Sequence, residues 1–595
     1  MKHKVNIWPM YHPAAALHQP RLWAVMLQDW EFRPEHVNHN FIVGNKLSDS
    51  YGFDVALDTE NDASGNLGQW SVAYRNQNGD IIVIPQEGKQ IIQYGGDVVM
   101  HNAKWDIRVL ERAGMNLPSP LRVQDTMIAS YCLGMGRQDT KDTGRSGDHM
   151  VGGLGLKYLA RRHLGMEMRT WKEVEHGTDQ EITEYNANDS VATYLLWEKW
   201  NPQLPQHYWD IDMPLLNVLM TMENRGIMVD PNFLQEYATY LSNELDELKQ
   251  DLPLNPYSPD QVAKYVYETL SIQPTKFTGT GKPSVDKEIL ETIDDPIVKQ
   301  ILKYKEFYKE KDTYVDNYIS RMGVDNRIHC EFKQTSTATG RLSSANPNLQ
   351  NVSEDKTGRP SQLKALFIAQ PDCVFVRVDY KQLELRVFAA VANEEKLLEV
   401  FRKGGDPHQE TADFLGVSRS IGKNINFLML YGGTPWRISQ EFHVPIDQAK
   451  QMLARYYGAY PNIKKYHTQQ IEKAHNDKVV YNWFGRKRRL DSMFSDDWRI
   501  IKEGEREAIN TDIQGTSAEI VKRAMIRLHY DHHAPMLIQV HDELLFEIPK
   551  NEATDYARWL YEYLPTLTTI NGVSFDVDVG IGKTWADAKK EELFG

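Results

Sequence analysis

Carboxylates set at the ends of apolar strands constrain this chain more than any other feature. Cys373–Asp379 alternates as a half-buried strand and delivers Asp379 at its end. Far downstream, Met536–Val540 and Leu544–Ile548 read as two apolar strands, with Gln539-Val540-His541-Asp542-Glu543 at their junction. Near the front, Phe53–Leu57 reads as a strand ending in Asp58-Thr59-Glu60, whose two carboxylates leave one face. Strand ends are rigid places to hold charge, and a hairpin could set Asp542 beside Asp379. Converging acids repel by roughly 4 kcal/mol per close pair at an effective dielectric near 20. Divalent cations offset that repulsion. Plainer alternatives stay open for each motif alone. Asp-x-Glu recurs at Asp179/Glu181 and Asp286/Glu288 as a solvated pair, and Asp542 and Glu543 could be simple turn residues.

The 595 residues predict roughly four domains on length alone. A hydrophobic share of 41% and a charged share of 25% are those of an ordinary globular protein. No apolar run is long enough to span a membrane. The first 28 residues lack acids but carry Pro9, Pro13 and Pro20 and a single Arg, so an untargeted N-terminus and a cytoplasmic protein are expected. Cys132, Cys330 and Cys373, odd in number and far apart, fit a reducing compartment with neither disulfide framework nor zinc site. The formal charge of −14 opposes phosphate binding unless basic side chains are gathered on one face.

In the front third, strands at Gln69–Arg75 and Asp80–Ile84 flank an Asn78-Gly79 hairpin turn. A strand at Asp97–Met100 leads through Asn102-Ala103-Lys104-Trp105-Asp106 into a helix to about Ala113. Helical periodicity returns over 154–163 and 181–199, and in the second of these Tyr185 and Asp189 share a face at i, i+4. Pro202 and Pro205 read as a linker. Asp58-Thr-Glu60, Asn102 to Asp106 and Tyr185 to Asp189, in this order, resemble the proofreading 3′-5′ exonuclease of the DnaQ-like, RNase-H-fold group. That resemblance implies metal binding by Asp58, Glu60, Asp106 and Asp189, and orientation of the attacking water by Tyr185. Trp105 stands where the group has Tyr or Phe.

Polar amphipathic helices are expected at 231–250 and 259–270, a loop at 276–287, and a helix-rich block over 394–475. Within that block Arg419, Lys423, Phe427 and Tyr431 recur every four residues before Gly432-Gly433, one slowly spiralling stripe on a helix. Two cations at that spacing favour an anion between them, and a triphosphate would serve. Taken alone, the stripe is better explained as a surface helix with an aromatic core edge.

Asp379-Tyr-Lys-Gln-Leu-Glu384-Leu-Arg386, the Arg419 to Gly432 stripe and Gln539-Val-His-Asp542-Glu543 together resemble the three motifs of family A DNA polymerases, the bacterial DNA polymerase I group and its bacteriophage relatives. Thr337-Ala-Thr-Gly-Arg341, Asn346-Pro-Asn-Leu-Gln350 and Arg506-Glu-Ala-Ile-Asn510 with Gln514 extend the likeness. The resemblance implies a multidomain α/β chain: an N-terminal extension over 1–50, an RNase H-like exonuclease over 51–205, and a right-hand polymerase over 206–595. Within the hand, the thumb spans about 222–335, the fingers about 396–500, and the palm the remainder. Asp379 and Asp542 would bind two Mg²⁺, with Glu543 beside them, and the exonuclease site two more, Mn²⁺ being a substitute. Arg419, Lys423 and His408 would hold triphosphate, with Lys423 the acid for pyrophosphate departure. Phe427, Tyr431 and Gln382 would meet the deoxynucleotide, and Glu384 would exclude a 2′-hydroxyl. Arg341, Asn346, Gln350, Arg506, Asn510, Gln514 and His541 would contact primer–template.

Lack of a 5′-nuclease domain and of a thioredoxin-type processivity insertion is expected, which suggests a bacteriophage-type replicative enzyme working in the host cytoplasm or nucleoid. Helicase, single-strand-binding or clamp partners are not readable. The run Arg486-Lys-Arg-Arg489 could contact template or be a solvated charge run, and Leu593-Phe594 could be a clamp-binding tail or a frayed end. Two other functions compete: a nuclease with a non-catalytic DNA-binding half, opposed by the intact Asp379 and Asp542, and a single-subunit RNA polymerase, opposed by Glu384 and the exonuclease motifs.

Overall fold

The first carboxylate-bearing strand runs further than its apolar stretch. The structure, a computed structural model, describes residues 41–589 apart from 45, 63, 90–95, 116–121, 136–152, 279 and 353–361. The expected extension up to residue 40 and the Leu593-Phe594 tail therefore lie outside the described residues. Val55–Asn61 takes in Asp58 and Glu60 rather than stopping before them, because Leu67–Arg75 continues to pair with it. The register shifts between Thr59 and Asn61, so Glu60 sits at a bulge. Bulges of this kind re-aim a side chain beside a site.

Six strands form the front sheet, in the order Ile42–Val43, Ile81–Glu87, Leu67–Arg75, Val55–Asn61, Asp97–Met100, Arg122–Asp125. The three central long strands are antiparallel, and the others join parallel. Ile42–Val43 pairs with Ile82–Val83, so the sheet reaches back into the stretch read as an extension before residue 51. The helix Asp179–Trp200 packs on this sheet, opened by a Thr178/Glu181 capping box. Ser71 pins it from the strand side, donating to the Asn186 carbonyl at 3.0 Å and to Ser190 Oγ at 2.8 Å.

The back half is built around a four-stranded antiparallel sheet, ordered Met536–Val540, Glu543–Pro549, Cys373–Tyr380, Val577–Gly582. His541, with φ +56°, makes the tight turn into Glu543–Pro549. Six helices between Glu395 and Asp477 fulfil the helix-rich expectation, and a 35-residue helix, Trp498–His532, runs behind the sheet's cavity. Pro231–Asp251 is the first expected amphipathic helix and packs against Pro296–Lys309 through the buried Leu241, Leu245, Ile301 and Phe307. The stretch expected as a helix over 259–270 is instead a short α-helix, Pro259–Ala263, continued by a π-helical segment, Lys264–Thr269.

Met213–Arg225 joins the halves. Its Met213, Leu216 and Met220 enter the front core with Tyr208, whereas Leu215, Val218, Leu219 and Met222 enter the back core. The three buried cysteines form no disulfide. Among the described residues no helix is long and apolar enough to cross a membrane.

Candidate active sites

The front sheet gathers Asp58, Glu60 and Asp189, whose carboxylate oxygens lie within 4.8 Å of one another. Asp106 stands beside them on the first turn of Ala103–Arg112, and its Oδ1 accepts from Thr59 N at 3.0 Å and Thr59 Oγ1 at 2.7 Å. Asp125 holds that helix in place, accepting from the amides of Ala103 at 2.7 Å and Asn102 at 3.2 Å. Asn186 Nδ2 donates to Asp58 Oδ2 at 2.7 Å.

Burial drives the electrostatics here. Desolvation first, then Asp189, Glu60 and Asp106, push the Asp58 carboxyl well above its ordinary range. Desolvation raises Asp106 to about 7 although both Thr59 donors oppose it. Lys157, buried on the helix Leu156–Leu164, pairs with Asp189 and lies 4.1 Å from the Tyr185 ring centroid. Trp171 meets the same ring edge-on at 5.8 Å. A set of hard oxygen donors that raise one another's affinity for positive charge suits a hard divalent cation. Of the five residues expected at this site, Asp58, Glu60 and Asp189 come together, Asp106 stands beside them, and Tyr185 is linked to Asp189 through Lys157.

The second site is a cavity of ≈ 230 Å³ against the back sheet. Arg341, Gln382, Glu384, Phe427, His541 and Asp542, all expected site residues, line it. Asp379 lies opposite Glu543 in the sheet register, and the Tyr380 amide donates to the Asp542 carbonyl at 3.2 Å. The turn therefore does put Asp542 next to the strand end that bears Asp379. Glu384 is clamped: Arg341 pairs with it and Tyr431 donates its hydroxyl to Oε2 at 2.7 Å. Burial, then the Glu384 charge, push the Tyr431 phenol up to about 12.

Arg419 and Lys423 sit on the helix Arg419–Leu430 with their charged ends accessible. Arg419 Nε bonds Asp406 at 2.5 Å, and Lys423 Nζ lies 5.9 Å from the Phe427 ring centroid. Along Trp498–His532, Arg506, Asn510 and Gln514 follow at four-residue steps.

Several expected residues are placed differently. Glu543 is buried, with Oε2 2.6 Å from Arg377 and Oε1 accepting from Trp585 at 2.7 Å, so it braces the strand pair. Arg377 also lies 3.6 Å from Asp379 Oδ2, so Glu543 stands beside Asp379 through a shared arginine. His408 is 3% exposed beneath the stripe, with Asn426 Nδ2 3.2 Å from its Nδ1. Burial lowers its imidazole. Gln350 is buried and donates to Gln539 Oε1 at 2.8 Å, and Asn346 donates to Glu331 at 3.1 Å. The basic run is also corrected. Arg486 and Arg488 point inward, because alternation across the short strand Lys487–Arg489 sends every second side chain to the core.

Lys157, Asn186, Lys522 and Gln539 were not among the expected site residues. Asn186 adjoins Tyr185 and Gln539 opens the Asp542 motif, so adjacency marks both. Nothing in the sequence separates Lys157 or Lys522 from other helical lysines.

Residues 231–587 match the family described as DNA polymerase family A, and residues 43–205 match a family described as 3′-5′ exonuclease. The chain belongs to DNA polymerase family A. Thermostable DNA polymerase I of Thermus aquaticus is 35% identical over 405 residues, 64% of this chain and 48% of that protein. DNA polymerase I of Pseudomonas aeruginosa is 31% identical over 527 residues, covering 82% and 56%. This family A chain thus spans about half the length of relatives it matches. Among solved structures, the polymerase domain of Pol1 from M. smegmatis, in complex with DNA primer-template and dNTP, matches with a TM-score of 0.78 at 25% identity, covering 91% of this chain and 97% of that one. The mixed α/β architecture, exonuclease domain first and polymerase second, is the one expected.

Proposed function

We propose that this chain extends the 3′ end of a template-annealed primer with deoxynucleoside triphosphates, and that its front domain proofreads by removing 3′-terminal nucleotides. The observation that carries the reading is the pairing of the Asp379 strand with the strand that follows Asp542, at the wall of a cavity that also presents Arg341, Glu384 and Phe427.

Asp379 and Asp542 would hold two Mg²⁺, and Asp58, Glu60, Asp106 and Asp189 two more. Such ions favour an attacking alkoxide or hydroxide and neutralise the leaving oxygen. The chain's own residues do the rest. Arg419 and Lys423 bind the triphosphate, and Lys423 delivers a proton to departing pyrophosphate. Phe427 packs on the incoming nucleotide. Glu384, fixed by Arg341 and Tyr431, fills the space a 2′-hydroxyl would need. Arg341, His541 and the Arg506, Asn510, Gln514 row face the primer–template duplex, where minor-groove acceptors are shared by all pairs. In the front site Tyr185, wedged between Trp171 and Lys157, orients the water.

The test is primer extension from matched and mismatched ends. Asp542→Ala is expected to lower extension by at least about 10³-fold, roughly 4 kcal/mol of barrier, while leaving degradation of single-stranded oligonucleotides intact. Asp58→Ala with Glu60→Ala should do the reverse and leave mismatched ends unrepaired. Normal extension by Asp542→Ala would refute the assignment. Comparing dNTP with rNTP incorporation tests Glu384 in the same assay.

A further inference from the structure

The loop over 334–341 brings Arg341 to the polymerase cavity, yet its seat is built partly from the exonuclease side. Tyr131, on the front helix Thr126–Cys132, donates its hydroxyl to the Thr337 carbonyl at 2.8 Å. Gln334 Nε2 donates to the Asp212 carbonyl at 2.9 Å. Thr337 Oγ1 closes the loop on the Arg341 carbonyl at 2.7 Å. At the loop's tip Gly340 adopts φ +87° and rests on Arg486, where an added Cβ would come within 2.9 Å of the arginine Cδ.

Arg486 is fixed from several directions. Its Nη2 donates to both Asp212 carboxylate oxygens, at 2.9 and 2.8 Å, and its Nε donates to Glu519 at 2.6 Å. The Tyr131 ring centroid lies 5.8 Å from the guanidinium. Asp212 also accepts from Cys132 Sγ at 3.3 Å, lies 2.9 Å from His207 Nδ1, and has Lys522 Nζ at 3.8 Å. Every member of this set is buried. Asp212 lies between the two stretches that match known families, at 206–230.

Two acids and two bases held out of water gain little net stability, because desolvation offsets their attraction. What a planar guanidinium gripped on two edges does supply is orientation. Here the oriented object is the platform under Gly340, and one residue further on Arg341 meets Glu384, which in turn receives Tyr431.

We propose that Arg486 is a positioning residue for nucleotide selection: held by Asp212 and Glu519 and flanked by Tyr131, it sets the Gly340-Arg341 tip so that Arg341 and Tyr431 clamp Glu384. The exonuclease domain thereby shapes the polymerase cavity. The inference rests on the polymerase reading above.

The test uses the full chain with Arg486→Lys and, separately, Tyr131→Phe, which keeps the ring and removes one hydroxyl. Single-turnover incorporation gives apparent dNTP affinity, maximal rate and dNTP-over-rNTP selection. Loss of the single Tyr131 hydrogen bond should weaken affinity or selection about fivefold, and Arg486→Lys more. Degradation of single-stranded oligonucleotides should stay within about twofold, since neither residue touches that site. Combining Tyr131→Phe with Glu384→Gln should give less than the product of the two selection losses, because both act on one clamp. The proposal is overturned if Tyr131→Phe and Arg486→Lys only lower the melting temperature while affinity and selection stay at wild-type values, or if the combined losses multiply in full. Where Arg486→Lys does not fold, Tyr131→Phe carries the decision. Absence of extension by the wild-type chain would instead sink the polymerase reading, and this inference with it.

Discussion

Asp106 carries the conflict of the front site in one side chain. Thr59 donates to it twice, which favours the charged form, yet burial lifts its carboxyl to about 7, and Asp58 is pushed up as well. A folded-state value above the unfolded one, near 3.8, means the folded protein binds more protons between those limits. Stability from this source is therefore present below about pH 4 and drains away as pH rises through about 7. In chelator, the melting temperature of the wild type should fall between pH 5 and pH 8 more steeply than that of Asp106→Asn, whose amide cannot ionise. Saturating Mg²⁺ should flatten the wild-type slope by supplying the missing positive charge. Equal slopes for both proteins in chelator would contradict the assignment. The acids themselves were readable, because each lies in a short motif with fixed neighbours. Lys157 was not: its partner Asp189 comes from another helix, and only the folded packing brings the two together.

At the scale of elements, helices were legible and strand ends less so. Periodicity placed 181–199 within Asp179–Trp200 and 231–250 within Pro231–Asp251, since one buried face repeats along the chain. Phe53–Leu57 fell short of Asn61 because pairing with Leu67–Arg75, a non-local matter, carries polar residues into the sheet. Contacts between helices were equally hidden. Glu223 is buried on Met213–Arg225 and binds Lys104 Nζ at 2.7 Å, Arg108 and the Phe332 amide at 2.6 Å. Lys104 and Arg108 flank Asp106 on one helix, so from the back half Glu223 steadies the helix that carries Asp106. Glu223→Gln leaves Lys104 without its anion, a change that costs about 3–5 kcal/mol at buried pairs. Exonuclease turnover on single strands should fall at least about tenfold, a barrier change near 1.4 kcal/mol, with matched-primer extension little changed. A parallel drop in both activities would argue for general destabilisation instead.

Over the whole molecule, the boundary expected at Pro202 and Pro205 is a change of fold without being a break in packing. Tyr208, Met213, Leu216 and Met220 follow those prolines and belong to the front core, while Leu215, Val218, Leu219 and Met222 on the same helix belong to the back core. Spacings of three and four residues on two faces of one helix make it a shared wall. Burying a large apolar side chain is worth about 1.5–3 kcal/mol, so each core draws several kcal/mol from this helix, a large part of the 5–15 kcal/mol typical of a domain. Neither half can unfold and leave the other undisturbed. Calorimetry of the metal-free chain should show one cooperative transition, and Leu216→Ala and Leu219→Ala, one in each core, should both lower it, each costing about 2–5 kcal/mol. Two resolved transitions, one moved by Leu216→Ala and the other by Leu219→Ala, would mean that the halves are joined only in sequence. In that case the exonuclease side could not set the Arg341 loop through Tyr131 and Asp212, because a wall that does not couple the two cores cannot hold the contacts laid across it.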